Sequence, residues 1–234
     1  MKGAALMNVE QLVQVPTVKI CGLQSVEVLK SMIHLPIDQI GFVFARSKRR
    51  VSLEQAAQMI AYMREQNMSR PLAVGVFVNP DLHEVVELLR TVPLDVVQLH
   101  GQESPEFCKA LKDNCNVQIY KTHSMKLDQE DDQGAEAWDA YRGVVDAFLL
   151  DSYDPVYIGG SGKTFNWELI APYQAWARAA GIKLIVAGGL DPDNVRRLIV
   201  ERAPDGVDVS SGVETDGVKD IAKVTAFVER VKLQ

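Results

Sequence analysis

Short apolar runs recur eight times along this chain, at residues 16–20, 38–44, 72–78, 95–99, 117–121, 146–150, 183–187 and 206–210. Strands of a parallel sheet read this way because helices cover both of its faces. Most of the intervals carry helical period: Val26, Leu29 and Ile33, with Val28 and Met32, fall on one side of a helix. Ser52 with Gln55, and Asp81 with Glu84, have capping-box spacing, and Asp191-Pro192 offers an N-cap followed by a first-turn proline. Strand–helix alternation repeated eight times predicts an α/β fold, a closed (β/α)8 barrel forming one domain over 16–234, with 1–15 as an N-terminal extension. An open doubly wound sheet alternates in the same way, but it announces its nucleotide with a glycine-rich turn after strand one, and Cys21-Gly22-Leu23 has no such pattern. The fifth interval is the odd one. Its polar stretch 126–134 predicts an exposed loop and a short helix within 122–145.

Of the 234 residues, 47% are hydrophobic, enough for a sizeable core, and the net charge of -6 argues against a nucleic-acid partner. The basic run Arg46-Ser47-Lys48-Arg49-Arg50 is too short for a nucleic-acid footprint and reads as a local anion site or a solvated loop. Cys21, Cys108 and Cys115 are too few for a disulfide framework. No stretch approaches the roughly 18 apolar residues of a membrane span, and residues 1–15 lack the basic start and apolar core of a signal peptide. The expectation is a cytoplasmic protein with reduced thiols and no membrane partner.

The polar residues on and just beyond these strands carry the chemistry. Side chains two apart share a face, so Lys19 with Cys21, Gln98 with His100, Leu149 with Asp151, and Asp208 with Ser210 point together. The intervening Val18, Ile20, Val97, Leu99, Val207 and Val209 are apolar and suit the outer helices, which leaves the polar set facing the barrel axis. That is the default position for a ligand site. Blander roles compete: Lys19 and Asp208 on strands that meet at closure would neutralise each other, His100 before Gly101 suits a structural role as well, and buried cysteines are mostly inert. For Cys108 and Cys115, in or just after a helical segment, the inert role is the expectation.

Three glycine-rich turns fall at late strand ends: Gly159 to Gly162, Gly188-Gly189, and Ser210-Ser211-Gly212. Glycines let backbone N–H groups approach an oxyanion closely, and the loops after barrel strands seven and eight are the usual phosphate site. A small phosphorylated substrate follows. Gly162-Lys163-Thr164 is not a P-loop, because Tyr157 stands where its first glycine belongs.

Taken in order, Val18-Lys19-Ile20-Cys21-Gly22, Gly41 to Phe44, Ser47-Lys48-Arg49, Val74 to Asn79, Val97-Gln98-Leu99-His100-Gly101, Leu149-Leu150-Asp151-Ser152, Gly159 to Trp167, Ala187 to Val195 and Gly206 to Glu214 resemble the phosphoribosylanthranilate isomerases of tryptophan biosynthesis. The likeness runs from Val18 to Glu214, and Asn166 stands where an aspartate is common. The resemblance implies an Amadori rearrangement of an N-phosphoribosyl aryl amine to a 1-amino-1-deoxyketose, with no metal and no cofactor, by a monomer or homodimer. It implies Cys21 as general base, Asp151 as general acid, and Arg49, His100 and Asp208 as substrate contacts. Gly160, Ser161, Gly162, Gly189, Ser211 and Gly212 would hold the phosphate. The base role asks for a thiol lowered from its usual value by nearby positive charge, and the acid role for an aspartic acid that keeps its proton at neutral pH. Other phosphosugar barrels fit less well: the histidine-pathway isomerase uses two aspartates, and indole-glycerol-phosphate synthase favours a lysine acid. A non-catalytic metabolite sensor would have no use for both Cys21 and Asp151.

Overall fold

The computed structural model describes residues 15–66, 70–125, 134–152 and 164–233. Its strands β1 (Thr17–Cys21), β2 (Gln39–Val43), β3 (Leu72–Phe77), β4 (Val96–Leu99), β5 (Gln118–Met125), β6 (Ala147–Ser152), β7 (Lys183–Val186) and β8 (Gly206–Val209) pair in parallel, in sequence order, into a closed barrel. Each lies within two residues of its apolar run except β5, which continues to Met125. Residues 1–14 of the predicted extension 1–15 and 126–133 of the polar stretch 126–134 lie outside the described residues. Among the described residues, no helix is long and apolar enough to cross a membrane.

Helices α1 (Val26–Met32), α2 (Leu53–Glu65), α3 (Leu82–Thr91), α4 (Pro105–Asn114), α5 (Ile170–Ala180), α6 (Val195–Arg202) and α7 (Ile221–Lys232) surround the strands. Ser52 and Gln55 close the full capping box at the start of α2, and Asp81 Oδ1 accepts from the N–H groups of His83 and Glu84. Asp191 departs from expectation. Its carboxylate accepts from Asp193 and Asn194 N–H and so caps a turn containing Pro192, and α6 begins only at Val195. Asn166 caps its own short helical turn by accepting from Glu168 N–H.

After β5 the described chain forms a 3-10 turn, Ala135–Tyr141, in place of an α-helix. An aromatic cluster explains why so little helix suffices to cover this part of the sheet. Trp138 stacks on Phe148 of β6 with ring centroids 3.8 Å apart, and Tyr173 and Trp176 of α5 close over the pair. Large rings bury as much apolar area as several aliphatic side chains.

The core is divided by the sheet. Val18, Ile20, Val97, Leu99, Val207 and Val209 belong to the layer between strands and helices. Val74, Val96, Tyr120, Ala147, Leu149, Ile185 and Ala187 form a separate cluster inside the barrel. The alternation read from sequence therefore assigns the faces correctly.

At the N-terminal ends of the strands one contact repeats four times. Asp38, Asp95, Asp146 and Asp205 each immediately precede an even-numbered strand or lie on its doorstep, and each accepts the N–H of a residue on the odd strand before it: Val18, Ala73, Ile119 and Leu184. Each returns its own N–H to that same residue's carbonyl. Lys232, Arg70 and Lys112 add a cation to the first three. Burial pushes the Asp95 carboxyl up, but the Arg70 guanidinium and the Ala73 N–H outweigh it and hold the group below its ordinary value. Its contribution to stability is therefore complete above the ordinary carboxylate range and is lost as the pH falls through the lowered value. Asp95→Ala should cost about 1–3 kcal/mol in urea unfolding at pH 7, since it strands a backbone N–H. The difference from wild type should shrink steadily below about pH 4.

Candidate active site

The strand-end candidates meet. Cys21, Arg49, His100, Asp151, Gly189, Asp208 and Ser211 all line one cavity at the C-terminal end of the barrel. Gly212 does not line it. There the β8 loop packs backbone to backbone on the loop after β7, and a Cβ would collide with the Leu190 carbonyl oxygen. Gly160, Ser161 and Gly162 lie outside the described residues. Among the described residues, no group of three or more His, Cys, Asp or Glu side chains could hold a metal ion.

Cys21 ends β1 opposite Gly41 of β2. A Cβ at Gly41 would lie 2.7 Å from the Cys21 Sγ, so the glycine makes the space the thiol occupies. Lys19, one step down the same face, is buried and its Nζ lies 3.0 Å from Asp208 Oδ2 on β8. Burial opposes the Lys19 ammonium, but the Asp208 carboxylate outweighs it and holds the amine protonated. Asp208 itself is pushed up by burial against the pull of Lys19. The pairing read as the blander role of these two residues is thus present.

The thiol departs from the sequence expectation. Burial pushes the Cys21 thiol above its ordinary value, and the nearby ammonium groups of Lys19 and Lys219 only partly oppose this. Desolvation of a thiolate outweighs the attraction of cations already engaged by carboxylates. Cys108, buried in α4, is pushed by burial to about 11, as befits an inert core thiol.

Across the cavity, Asp151 on β6 has its Oδ2 3.3 Å from His100 Nε2. Gln98 Nε2 and Thr122 Oγ1 approach the other ring nitrogen, Nδ1, at 3.2 and 3.3 Å. The site therefore holds a thiol and a carboxyl group on opposite sides of one pocket, with glycine-rich turns after β7 and β8 at its edge.

Known proteins share this fold. Residues 18–230 match the family described as N-(5'phosphoribosyl)anthranilate (PRA) isomerase. The chain belongs to that family. It is 45% identical to the N-(5'-phosphoribosyl)anthranilate isomerase of Brevibacillus brevis over 92% of both chains, and 36% identical to that of Geobacillus thermodenitrificans over 92% of this chain and 93% of the relative. Among solved structures, the Thermotoga maritima phosphoribosyl anthranilate isomerase superposes with a TM-score of 0.79 at 33% identity, covering 94% of this chain and all of the other. A structure of such an isomerase in complex with reduced 1-(o-carboxyphenylamino)-1-deoxyribulose 5-phosphate superposes with a TM-score of 0.75 at 32% identity, over 94% of this chain and all of that one.

Arg49 enters the cavity from the loop after β2 with one edge already used. Its Nε and Nη2 donate to the two carboxylate oxygens of Glu214 at 2.7 and 2.8 Å. A guanidinium has a second edge, Nη1 with Nη2, able to take another carboxylate. Glu214 also accepts from Lys219 Nζ, which reaches on to the Ser210 carbonyl, while Ser210 Oγ donates to the Cys21 carbonyl. Burial pushes the Glu214 carboxyl up, but Arg49 and Lys219 outweigh it and keep the group ionised. Glu214 and Lys219 were not singled out from the sequence. They lie in the short ribbon after β8 (Glu214–Thr215 and Val218–Lys219), and nothing in their spacing signals a contact with Arg49 some 165 positions earlier. Thr122 was missed because β5 runs further than its apolar residues suggest.

The thiol makes a testable statement about the free enzyme. Alkylation of Cys21 by iodoacetamide, followed by mass spectrometry of its peptide, should still be accelerating at pH 9, beyond the ordinary thiol range of about 8.5. Lys19→Met removes a cation that lowers the thiol and should move the profile further up. A rate that levels off near neutrality would contradict the balance of burial and charge described above.

Proposed function

We infer that this chain converts N-(5-phosphoribosyl)anthranilate to 1-(2-carboxyphenylamino)-1-deoxyribulose 5-phosphate, the Amadori step of tryptophan biosynthesis. The observation that carries the residue assignment is the joint lining of one cavity by Cys21 and Asp151, from the first and sixth strands. Asp151 donates a proton to the furanose ring oxygen as the C1–O bond breaks, and the substrate's nitrogen lone pair forms the C1 iminium. The Cys21 thiol, its proton passing to solvent, then acts as thiolate and removes the proton on C2, and the electrons of that C–H bond neutralise the iminium to give the enol-amine. Protonation at C1 and loss of the hydroxyl proton at C2 complete the ketone. The aryl nitrogen is the electron sink throughout.

Arg49 supports binding of the anthranilate carboxylate through the edge that Glu214 leaves open. Backbone N–H groups at Gly189 and Ser211, with Gly160, Ser161 and Gly162 from the segment after β6, are the phosphate cradle in this reading, and Gly212 allows the close packing that holds the β8 turn in place. His100 and Asp208 frame the reacting carbons. The activity belongs in the cytoplasm, a setting that the free thiols of Cys21, Cys108 and Cys115 suit, with the chain acting as a monomer or homodimer.

Loss of substrate fluorescence with purified protein tests the reading. Wild type should turn the compound over, and Cys21→Ser or Asp151→Asn should lower kcat by about 10²–10⁴-fold, the usual range for a positioned acid or base. Losses below about tenfold would remove these roles. Arg49→Ala should chiefly raise KM, and an unchanged KM would move carboxylate binding to Arg46, which also lines the cavity.

A further inference from the structure

His100 stands beside the group that must deliver a proton. An imidazole is ordinarily a stronger base than a carboxylate, and its Nε2 is 3.3 Å from Asp151 Oδ2. A carboxylic acid in that position loses its proton to the ring unless the facing nitrogen already carries one. The far nitrogen decides which state holds. The amide nitrogen of Gln98 has only hydrogens to offer, so Nδ1 accepts from it and the ring's single proton falls on Nε2. Thr122 Oγ1 sits on the same nitrogen and is 3.5 Å from the Gln98 amide.

Two features of Gln98 have no explanation in core packing. Its side chain is almost fully buried inside the barrel, and its Oε1 is buried with no hydrogen-bond partner among the described residues. An unpaired buried carbonyl costs free energy, so the amide orientation needs an offsetting contact, and the shorter of the two its nitrogen makes is with His100. Turned over, the amide would set Oε1 on Nδ1 and call the ring proton away from Asp151. Among the described residues, the charged groups facing the ring are Asp151 from β6 and Asp208 from β8, the latter engaged by Lys19 of β1. Gln98 from β4 and Thr122 from β5 face its Nδ1 with neutral dipoles.

We propose that Gln98, seconded by Thr122, is a positioning residue that locks His100 as its Nε2–H tautomer, so that the ring donates to Asp151 Oδ2 and cannot take the proton Asp151 carries on Oδ1. The proposal deepens, and rests on, the reading of Asp151 as the general acid. In ring opening the Oδ1–H bond breaks, the proton passes to the furanose oxygen together with the electrons of the C1–O bond, and the carboxylate left behind keeps the Nε2–H donor. A donor already aimed at the charge that develops needs no reorganisation. His100 neither gains nor loses a proton in this step.

Enzyme labelled with 15N-histidine, free of substrate, reports the ring directly in long-range 1H–15N spectra, with His100→Asn assigning the signals. Wild type should show the Nε2–H pattern at pH 7. In Gln98→Glu the new carboxylate should draw a second proton onto Nδ1, giving imidazolium signals, with kcat down at least about tenfold and KM little changed. Should that buried charge prevent folding, Gln98→Leu, of similar volume, should replace the single pattern by a mixture of tautomers and lower kcat several-fold. A wild-type ring protonated on Nδ1 or on both nitrogens overturns the proposal, as do unchanged ring signals in folded variants. If the ring behaves as expected while Asp151→Asn keeps wild-type turnover, the tautomer lock stands and the acid assignment falls.

Discussion

Asp38, Asp95, Asp146 and Asp205 hold the barrel in register, and the active site depends on that register. Each aspartate grips one residue of the preceding strand through both its own N–H and its carboxylate, so a pair of strands cannot slide without breaking a charge-assisted bond. A slip of one residue exchanges the two faces of a strand. On β1 it would turn Cys21 outward and bring Ile20 to the axis; on β6 it would do the same to Asp151 and Leu150. The floor of the barrel thus fixes which side chains reach the cavity at its opposite end.

Within the cavity, pairing governs what the charges can do. Lys19 is tied to Asp208, and Arg49 and Lys219 are tied to Glu214. A buried charge persists when paired, and each of these pairs also orients a group to which the proposed chemistry gives a role. Glu214 leaves one edge of Arg49 open, Lys219 secures the loop after β8 through the Ser210 carbonyl, and Lys19 lies beneath the thiol. The same pairing weakens every cation as a source of field for Cys21. That is why burial prevails there and the thiol rises.

Strand positions, face alternation and the convergence of Cys21, His100, Asp151 and Asp208 were legible because apolar spacing is a local signal and β-structure converts it directly into geometry. What escaped the sequence is what depends on closure. Glu214 meets Arg49 only because β8 returns to lie beside β1. The direction of the Cys21 thiol followed from desolvation, which no residue spacing records. The 3-10 turn after β5 owes its sufficiency to Trp138 meeting Phe148 and Tyr173 from two other elements. Asp191 shows the smaller kind of miss: the capping residue was recognised, but its carboxylate organises a turn and the helix starts four residues later.

On the proposed roles of Cys21 and Asp151, a thiol pushed up by burial imposes an order on the reaction. While the furanose is closed, the Cys21 surroundings carry cations already matched by carboxylates and offer a thiolate little net attraction. Ring opening changes this, because the substrate itself becomes an iminium cation beside the sulfur. Against the low-dielectric wall of a cavity, a nearby unit charge acts more strongly than it would in solution. The base therefore gains its driving force from the product of the acid's step, and the two proton transfers run in sequence. In this order the acid keeps its proton from His100 until the ring opens, and the Cys21 thiol gives its own proton to solvent only once the iminium favours the thiolate. The tautomer of one histidine then matters at the far side of the pocket, since an Asp151 that has already lost its proton cannot create the cation that Cys21 requires.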